Sequence, residues 1–326
     1  MLRMILRLDT FELPEIRDDE ILVKVVSDSI CMSTYKCAIL GTEHKRVHPD
    51  VAEHLAIMGH EFAGDIVKVG AKHQDKFKPG MKFTLQPALN YKGRAYYEAS
   101  LAEPMSCSIG AFNAAYHTKM GVYHHEMGIK KGGKLAIMAG AGPMGLGALT
   151  YALHRDVCPS MVVVTDVNED RLARAEALFP PAEVKEKDGI DLHFVNTDKQ
   201  FSAKMNFYDV HYNSTHVMGT TGGNTADMIE SLELTASGRI DPAVMVTHIG
   251  GLDAAAETTL NLPKIPGGKK LIYTHLTMPL IALTELRAKG AEDARFTALA
   301  DIVDAHNGLW CPEAEEYLLA NFQQHD

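Results

Sequence analysis

The sequence predicts an α/β protein of two domains, in which an irregular β domain precedes a doubly wound parallel sheet. Three observations carry this prediction. The chain has 326 residues, its first hundred residues contain short β-branched runs, and strands alternate with helices from about residue 107. A chain of this length is expected to build two hydrophobic cores rather than one.

The composition excludes several classes of protein. With 46% apolar and 23% charged residues the chain is typical of globular proteins. Acidic residues exceed basic ones by 42 to 32. Nucleic acid is therefore not expected as the main partner, because neutralising a phosphate backbone requires a basic face.

The cysteines and the N-terminal residues predict a cytoplasmic location. Five cysteines are an odd number spread along a long chain, which favours reduced thiols or metal ligands over a disulfide framework. Arg3, Arg7 and Asp9 interrupt the first apolar residues, so no continuous core of a secretory signal is present. The uncharged stretch 135–153 contains four glycines and a proline, so we expect a strand, a turn and a helix rather than a membrane span.

The first hundred residues contain three predicted strands. They are rich in β-branched or apolar residues and are bounded by turn residues: ILVKVV at 21–26, FAGDIVKV at 62–69 and KFTLQPAL at 82–89. No clear helix alternates with them, which favours an irregular β domain over a parallel sheet.

Beyond Cys107 the pattern changes to alternating helices and strands. A helical spacing over 106–120 is followed by the strands KLAIMAG, MVVVTD and DLHFVNT, with helices predicted from Met144 and over 169–179. This alternation is typical of a doubly wound sheet. NSTHVMGTT at 213–221 predicts a fourth strand, where a complete dinucleotide fold has six.

The last third of the chain is predicted to be largely helical. ADMIESLELTASGRIDP predicts a helix that ends at Gly238, with Pro242 shortly after it. Two further short helices are expected from about residue 292 to the end.

A glycine-rich turn follows the strand KLAIMA directly and opens a helix. Gly140 permits a tight turn, Gly142 lets the backbone approach a pyrophosphate, and Gly145 lets the helix pack on the strand; Pro143 and Met144, between these glycines, are further expected cofactor contacts. The N–H groups and dipole of a helix N-terminus favour an anion. The pattern predicts a nicotinamide dinucleotide site, with a plain glycine-rich turn as the structural alternative.

Asp166 ends the next strand, 21 residues after Gly145. A carboxylate at this place accepts hydrogen bonds from the ribose hydroxyls and repels a 2′-phosphate, so NAD is favoured over NADP. Arg171 weakens that preference because it brings positive charge nearby.

Cys31, His60, Glu61 and Glu103 have the ligand atoms of a catalytic zinc. The alternative is that Cys31 and His60 are ordinary packed residues. Adjacent residues point to opposite faces of a regular strand, so a loop would have to present His60 and Glu61 together. Residue chemistry alone leaves both interpretations open.

Longer motifs resemble a known family over nearly the whole chain. They are GHEFAG at 59–64, Glu103-Pro104, AGAGPMG at 139–145 and GTTGGNTADMIESLELTASGRIDP at 219–242. Together they resemble the zinc-dependent medium-chain dehydrogenase/reductase family. FELPEI, VSDSICMSTYK, LAEPMSC and NLPKIPGGKKLIYTH are similar to a branch of it that acts on sugar phosphates.

The resemblance implies a fold with three segments. They are a GroES-like catalytic domain over 1–110, a Rossmann nucleotide-binding domain over 111–220, and a return of the chain to the catalytic domain over 221–326, with C-terminal helices. It also implies a homodimer or a homotetramer.

The resemblance further implies hydride transfer between NAD(P)H and a ketose phosphate. The implied zinc ligands are Cys31, His60, Glu61 and Glu103, and which of the two glutamates binds zinc in the resting form stays open. The implied cofactor contacts are the Gly140, Gly142 and Gly145 turn and Asp166 on the ribose.

The chain departs from the family pattern in its chemistry. Many members hold a structural zinc with four closely spaced cysteines; the sequence has no such cluster, so a single zinc per chain, the catalytic one, is expected and no structural zinc. Ser33 stands where the family hydroxyl bonds the substrate oxygen, and Lys36 stands where many members have a proton-relay histidine. Ser33, Lys36 and Glu61 are therefore the expected catalytic residues.

Lys36 also belongs to a basic cluster with His44, Lys45 and Arg46. This cluster either receives a substrate phosphate or is a solvated loop.

The chain is also shorter than the family pattern at three places, 5/6, 93/94 and 197/198. Losing strands at the last of these would open the cofactor sheet. We interpret the shortfall as internal segments absent from this sequence, and predict Cα–Cα distances beyond the roughly 3.8 Å of bonded neighbours at these junctions.

Two alternatives to this function stay open. One is another polyol or amino-alcohol dehydrogenase of the family, such as one for galactitol 1-phosphate. The other is a catalytically silent nicotinamide-binding protein that senses redox state or binds a partner. The complete set of Cys31, His60, Glu61 and Glu103 favours an enzyme.

Overall fold

The computed structural model describes residues 6–322 except 52, 85–88, 120, 201, 203, 205 and 214. The chain forms two compact units. The first comprises Met1–Ala102 together with Val246–Asp326, and the second comprises Glu103–Met245. Among the described residues no helix combines the length and the apolar character needed to cross a membrane.

Twelve strands are formed by the described residues. They are β1 (Ile21–Ser29), β2 (Phe62–Val69), β3 (Lys82–Thr84), β4 (Leu89–Asn90), β5 (Tyr116–Thr118), β6 (His125–Met127), β7 (Lys134–Ile137), β8 (Met161–Asp166), β9 (Asp191–Asn196), β10 (Val246–Gly251), β11 (Lys269–Tyr273) and β12 (Ile281–Ala282).

Twelve α-helices are formed by the same residues. They are α1 (Met32–Leu40), α2 (Tyr96–Ser100), α3 (Ala102–Ala114), α4 (Pro143–His154), α5 (Glu169–Leu178), α6 (Pro181–Asp188), α7 (Phe207–Tyr212), α8 (Thr225–Ala236), α9 (Ala255–Asn261), α10 (Leu286–Lys289), α11 (Ala294–Ala305) and α12 (Pro312–Asn321).

The first unit is built on a seven-stranded sheet in the order β12-β10-β11-β1-β2-β3-β4. Strand β1 pairs antiparallel with β2 on one side and with β11 on the other. Strands from the first hundred residues and from the last third of the chain therefore share one sheet. β11 is buried at every position, as expected for a strand with neighbours on both sides and covered faces.

Two apolar clusters of the first unit are formed by residues distant in sequence. Ile30, Leu262 and Ile272 form one, where the end of β1 meets the returning segment. Ile66, Val69 and Phe83 form the other, along β2 and β3. The burial of these side chains is the main favourable contribution to the stability of this sheet.

The second unit contains a parallel sheet in the order β7-β8-β9. Helix α4 follows β7 and helix α5 follows β8, which is the strand–helix alternation that the sequence predicts. Mixed α/β architecture with a parallel nucleotide-binding sheet is thus confirmed. The short strands β5 and β6 form a separate antiparallel pair.

The predicted fourth strand of the parallel sheet is wrong for the described part of 213–221. Residues 215–221 form no strand, and Val217 and Met218 are exposed. A strand needs a hydrogen-bonding neighbour, and β9 pairs with β8 alone within the described residues. Residue 214 lies outside the described residues.

Two other elements end earlier than predicted. The helix expected over 106–120 ends at Ala114, because Tyr116–Thr118 pairs with His125–Met127 as β5 and β6. The single strand expected over 82–89 is wrong, because its described ends are two strands, β3 and β4, that pair antiparallel with each other. Residues 85–88 lie outside the described residues.

The two units divide at 102/103 and 245/246, whereas the sequence places its domain boundaries at 110/111 and 220/221. Side-chain contacts explain the difference. Asn113 of α3 donates hydrogen bonds to Asp227 and Glu230 of α8, and Tyr151 of α4 donates to Glu230. Helices α3, α4 and α8 therefore form part of one unit.

The junctions of the shortened segments are partly described. Thr197 continues the ladder beyond β9, because its N–H donates to the carbonyl of Asp166 at 3.0 Å. Residue 5 lies outside the described residues. The Cα–Cα distances at 93/94 and 197/198 stay a prediction.

The buried His248 of β10 makes stability depend on pH. Burial, together with the smaller effect of the Lys270 charge, lowers the pKa of His248 from 6.5 to about 4. The unfolded chain therefore binds more protons between these two values. The stability contributed by neutral His248 is complete above pH 6.5 and is lost as the pH falls through about 4.

We expect His248→Gln to remove a slope of up to about 1.4 kcal/mol per pH unit from the free energy of unfolding in this window. Urea unfolding at a series of pH values, followed by the fluorescence of the single tryptophan Trp310 in the same unit, measures the slope. The exposed His193 provides a matched control, His193→Gln. An identical pH dependence in wild type and His248→Gln would contradict the assignment.

Candidate active site

Cys31, His60 and Glu61 converge in the first unit. One ligand atom of each, a sulfur, a ring nitrogen and a carboxylate oxygen, lies within 4.8 Å of the other two. Glu61 is buried, while Cys31 and His60 are half-buried. These are the donor types that zinc takes in proteins. The residues fit a zinc ion in both chemistry and spacing.

Backbone hydrogen bonds place the three donors. The N–H of Ser29, at the end of β1, donates to the carbonyl of Glu61 at 2.9 Å, and the N–H of Ile30 donates to Lys270 at 3.0 Å. Cys31 follows immediately and is the N-cap of α1. His60 and Glu61 precede β2 and lie outside regular strand, which meets the requirement that a loop present them.

The turn at Gly59 is fixed by Asp28. The N–H of Glu61 donates to Asp28 Oδ1 at 3.1 Å. Gly59 has a φ of +112°, and a Cβ atom there would lie 2.6 Å from Asp28 Oδ2, so only glycine fits. Burial raises the pKa of Asp28 to about 7, and the charge of Glu61 raises it as well. The sequence analysis did not single out Asp28.

A buried ion pair holds the Glu61 carboxylate. Lys269 Nζ, on β11, donates to both Glu61 oxygens at 2.6 Å. The side chains are 7% and 1% exposed. The sequence analysis missed Lys269; the available signal was a pair of lysines in an otherwise apolar run, KKLIY.

The pKa of the Cys31 thiol lies below its ordinary value. Burial and the charge of Glu61 raise this pKa, but hydrogen bonds with His60 and Ser33 and the charge of Lys269 outweigh them. A thiolate is the form that binds a metal. Ser33 Oγ lies 3.2 Å from both Cys31 Sγ and His60 Nε2, so its hydroxyl belongs to the same cluster.

The other residues expected at this site have different surroundings. Lys36, Lys45 and Arg46 are exposed, whereas His44 Nδ1 lies 3.1 Å from Cys37 Sγ. Glu103 lies in the second unit, in the first turn of α3. Its carboxylate accepts a hydrogen bond from Cys107 Sγ at 3.7 Å. The role of Glu103 as a zinc ligand stays a prediction.

The glycine turn of the second unit lies between β7 and α4. A Cβ atom at Gly140 would lie 2.7 Å from the carbonyl oxygen of Ile137, and one at Gly145 would lie 2.2 Å from that of Gly140. Close packing thus requires both glycines. Gly142, the N-cap of α4, has nothing nearer to its Cβ position than Arg171 Nη1, at 3.8 Å. The space beside Gly142 is open to an anion at the helix N-terminus.

Asp166 is buried at the end of β8 and is bonded to the turn itself. Its Oδ2 accepts a hydrogen bond from the N–H of Ala141 at 3.2 Å, and its Oδ1 accepts one from Asn168 at 3.0 Å. These bonds tie the glycine turn to the second strand. The expected contact of Asp166 with a ribose stays a prediction, as do the cofactor contacts of Pro143, Met144 and Arg171.

The cluster lies in the part of the chain that matches a protein family. Residues 17–136 match the family described as the alcohol dehydrogenase GroES-like domain. The matched range includes Cys31, His60, Glu61 and Glu103.

Comparison with curated proteins shows relatives along the whole chain. The chain is 43% identical to mannitol-1-phosphate 5-dehydrogenase of Aliivibrio fischeri, over 96% of this chain and 95% of that protein. It is 39% identical to L-sorbose 1-phosphate reductase of Klebsiella pneumoniae, over 97% and 95%.

These alignments also show that the chain is short for its family. The alignment with the Aliivibrio protein spans 401 positions, whereas the chain has 326 residues, so the relative carries at least 75 residues inside the matched range that this chain lacks. The three junctions at which the difference is expected stay predictions.

Solved structures share the fold. Galactitol-1-phosphate dehydrogenase from Escherichia coli matches with a TM-score of 0.61 and 16% identity, over 84% of this chain and 98% of that one. The 2R,3R-butanediol dehydrogenase from Bacillus subtilis matches with a TM-score of 0.62 and 18% identity, over 82% and 96%.

Gly145 is crowded by backbone atoms and Gly142 is not, so alanine is expected to change stability more at Gly145 than at Gly142. Gly145→Ala forces a methyl group against the backbone of Gly140, so we expect a loss of stability of about 2 kcal/mol or more. Gly142→Ala meets open space, so we expect a change of about 1 kcal/mol or less together with weaker dinucleotide binding. Urea unfolding and fluorescence titration with NADH measure the two effects. Unchanged NADH affinity in Gly142→Ala would contradict a phosphate beside this residue.

Proposed function

Because the chain belongs to the zinc-dependent medium-chain dehydrogenase/reductase family, in its polyol and sugar-phosphate branch, we propose that it interconverts L-sorbose 1-phosphate and D-glucitol 6-phosphate with NAD(H) or NADP(H). The observation that carries the proposal is the convergence of Cys31, His60 and Glu61 beside the hydroxyl of Ser33. The name of the Klebsiella relative supports the choice of substrate.

In this proposal Cys31, His60 and Glu61, with Glu103 as the fourth candidate, hold one catalytic zinc. A bound zinc ion would supply Lewis-acid polarisation of the ketose carbonyl, and a bound reduced nicotinamide would supply the hydride. The open space beside Gly142, with the Arg171 guanidinium near it, supports a dinucleotide phosphate at this turn.

Ser33 is the proposed proton donor to the substrate oxygen. Its Oγ lies 3.2 Å from Cys31 Sγ and from His60 Nε2, so its hydroxyl is next to the place where a metal-bound substrate oxygen would lie. Lys36 lies three residues after Ser33 on α1, on the same face of the helix, and returns the proton to Ser33 directly or through water. In the oxidising direction Ser33 accepts the alcohol proton and passes it outward.

Glu61 is proposed to set the charge beside the substrate. Its two oxygens are held by Lys269, which compensates the carboxylate while the ion pair stays buried. Glu61 thereby places a negative charge beside Cys31 and His60, and Lys269 compensates that charge.

The second candidate substrate is mannitol 1-phosphate, favoured by the 43% identity to the Aliivibrio protein. In that protein's named reaction the oxidised carbon is carbon 5, far from the phosphate on carbon 1. In L-sorbose 1-phosphate the carbonyl is next to the phosphate-bearing carbon. The two candidates therefore require the phosphate group at different distances from the cluster.

The proposal also includes a homodimer or homotetramer located in the cytoplasm. The odd number of cysteines supports a reducing compartment. A catalytically silent nicotinamide-binding protein remains the alternative from another class, and metal analysis combined with the assay below separates it from the enzyme.

The test of substrate, cofactor and metal is one assay. We expect the purified protein to oxidise NADH or NADPH with L-sorbose 1-phosphate, to stop after removal of zinc by a chelator, and to resume when zinc is restored. Oxidation of mannitol 1-phosphate and galactitol 1-phosphate is measured in parallel with the oxidised cofactors. Turnover with one of these and none with L-sorbose 1-phosphate would assign that substrate instead. No turnover and no zinc would favour the binding protein.

His60→Ala tests the ligand set. We expect this variant to lose the zinc bound at Cys31 and more than about 100-fold of kcat/KM, because one of the proposed ligands is missing. NADH binding is expected to persist, since the glycine turn lies in the second unit. His193→Ala, at an exposed position, is the control. Wild-type turnover by the His60→Ala protein would refute the scheme.

A further inference from the structure

A second group of metal-ligating side chains lies between α11 and α12, in the first unit. His306, Cys311 and Glu313 each offer one ligand atom within 4.8 Å of the other two. The three residues are separate in sequence from Cys31, His60 and Glu61. Binding of an ion by this group is independent of the proposed reaction.

The turn between the two helices brings these residues together. His306 is the C-cap of α11, Cys311 is the N-cap of α12, and Glu313 lies in the first turn of α12. The chain reverses through Asn307 and Gly308, whose φ angles are +57° and +75°. A short left-handed turn of this kind closes the end of a helix and starts a new direction.

Buried contacts on both sides hold the turn in place. Trp310 is fully buried and its Nε1 donates to the hydroxyl of Tyr273 at 2.8 Å. Glu315 is buried as well and accepts hydrogen bonds from the same hydroxyl at 2.8 Å and from the N–H of Tyr97 at 2.9 Å. Cys311 and Glu313 lie between these two anchors, so the donors are positioned without a ligand.

The two oxygens of the Glu313 carboxylate have different neighbours, Arg94 for one and His306 for the other. Its Oε1 contacts the guanidinium of Arg94, which also binds Glu316 at 2.7 Å. Its Oε2 lies 3.6 Å from His306 Nε2, close to the spacing of two ligands on one zinc ion. Arg94 thus orients the carboxylate from outside, as supporting groups around metal ligands do.

We propose that His306, Cys311 and Glu313 bind a second zinc ion, with water in the fourth position. Thiolate, imidazole and carboxylate together select zinc over magnesium or calcium, which take oxygen ligands. Burial and the charge of Glu313 raise the pKa of the Cys311 thiol to about 11, so the thiol keeps its proton until a metal binds. On binding, that proton would leave to solvent, and the thiolate and the carboxylate would together neutralise the charge of the ion.

The burial pattern agrees with a metal at the surface of the unit. Cys311 is 4% exposed, whereas the side chains of His306 and Glu313 are 45% and 42% exposed. Zinc has an open path to the histidine and the carboxylate, and the sulfur lies beneath them. The bound ion would fasten the end of α11 to the start of α12.

The experiment removes two ligands of the first cluster, so that zinc bound by His306, Cys311 and Glu313 is measured alone. The Cys31→Ala/His60→Ala chain is purified in full length, equilibrated with zinc and dialysed, and its zinc is counted by elemental analysis. We expect two zinc ions per chain in the wild type and one in this double variant. Adding Cys311→Ser is expected to remove the last one. Cobalt in the double variant is expected to give the near-ultraviolet thiolate-to-cobalt absorption, which Cys311→Ser abolishes.

Two substitutions at half-exposed positions test the zinc ligands in variants that are expected to fold normally. In the double-variant background, His306→Gln and Glu313→Gln are each expected to weaken zinc binding by about 10-fold or more, measured against a competing chelator, with unchanged circular dichroism. His193→Gln is the matched control at an exposed histidine.

The proposal is overturned if the double variant binds no zinc under these conditions, since the group is then an ion-pair network around Arg94. It is equally overturned if the retained zinc is indifferent to Cys311→Ser, His306→Gln and Glu313→Gln. Neither result affects the assignment of zinc to Cys31, which the His60→Ala variant tests independently.

Discussion

The buried ion pair between Glu61 and Lys269 is the interaction on which the candidate active site depends. Both side chains are almost completely buried, and the lysine donates to both carboxylate oxygens. Removing one partner would leave a buried charge without compensation, at a cost of about 3–5 kcal/mol. The pair joins the loop before β2 to β11, which lies 208 residues later in the chain. The arrangement of the cluster around Glu61 therefore depends on the pairing of β1 and β2 with the returning strand β11.

The two units hold different groups of candidate residues. In the first, Cys31, His60, Glu61 and Ser33 lie near the end of β1 and the start of β2. The second holds a glycine turn in which packing, rather than a ligand, accounts for two of the three glycines. Gly142 is the position whose small size packing does not explain, which makes it the informative one for cofactor binding.

Local patterns in the sequence determined much of the fold and part of the site. Strand β2 and strand β8 lie where their β-branched runs predict them, and α4 begins one residue before the predicted start. These elements are encoded by neighbouring residues, whose periodicity and turn chemistry are visible along the chain. The family, the mixed α/β fold and the enzyme class followed from motifs of the same local kind, and the comparisons confirm them.

Tertiary structure decided what depends on residues far apart in sequence. The position of Lys269 depends on the pairing of β11 with β1. The contact of Asp28 with Gly59 likewise joins residues that are distant in the sequence. The strand predicted at 213–221 is not formed by its described residues, and the group at Cys311 depends on a reversal between two helices. The sequence by itself determined which residues could form strands, turns and ligands. The long-range pairing of the chain determined which of them meet, because burial and hydrogen bonding are properties of the folded neighbourhood.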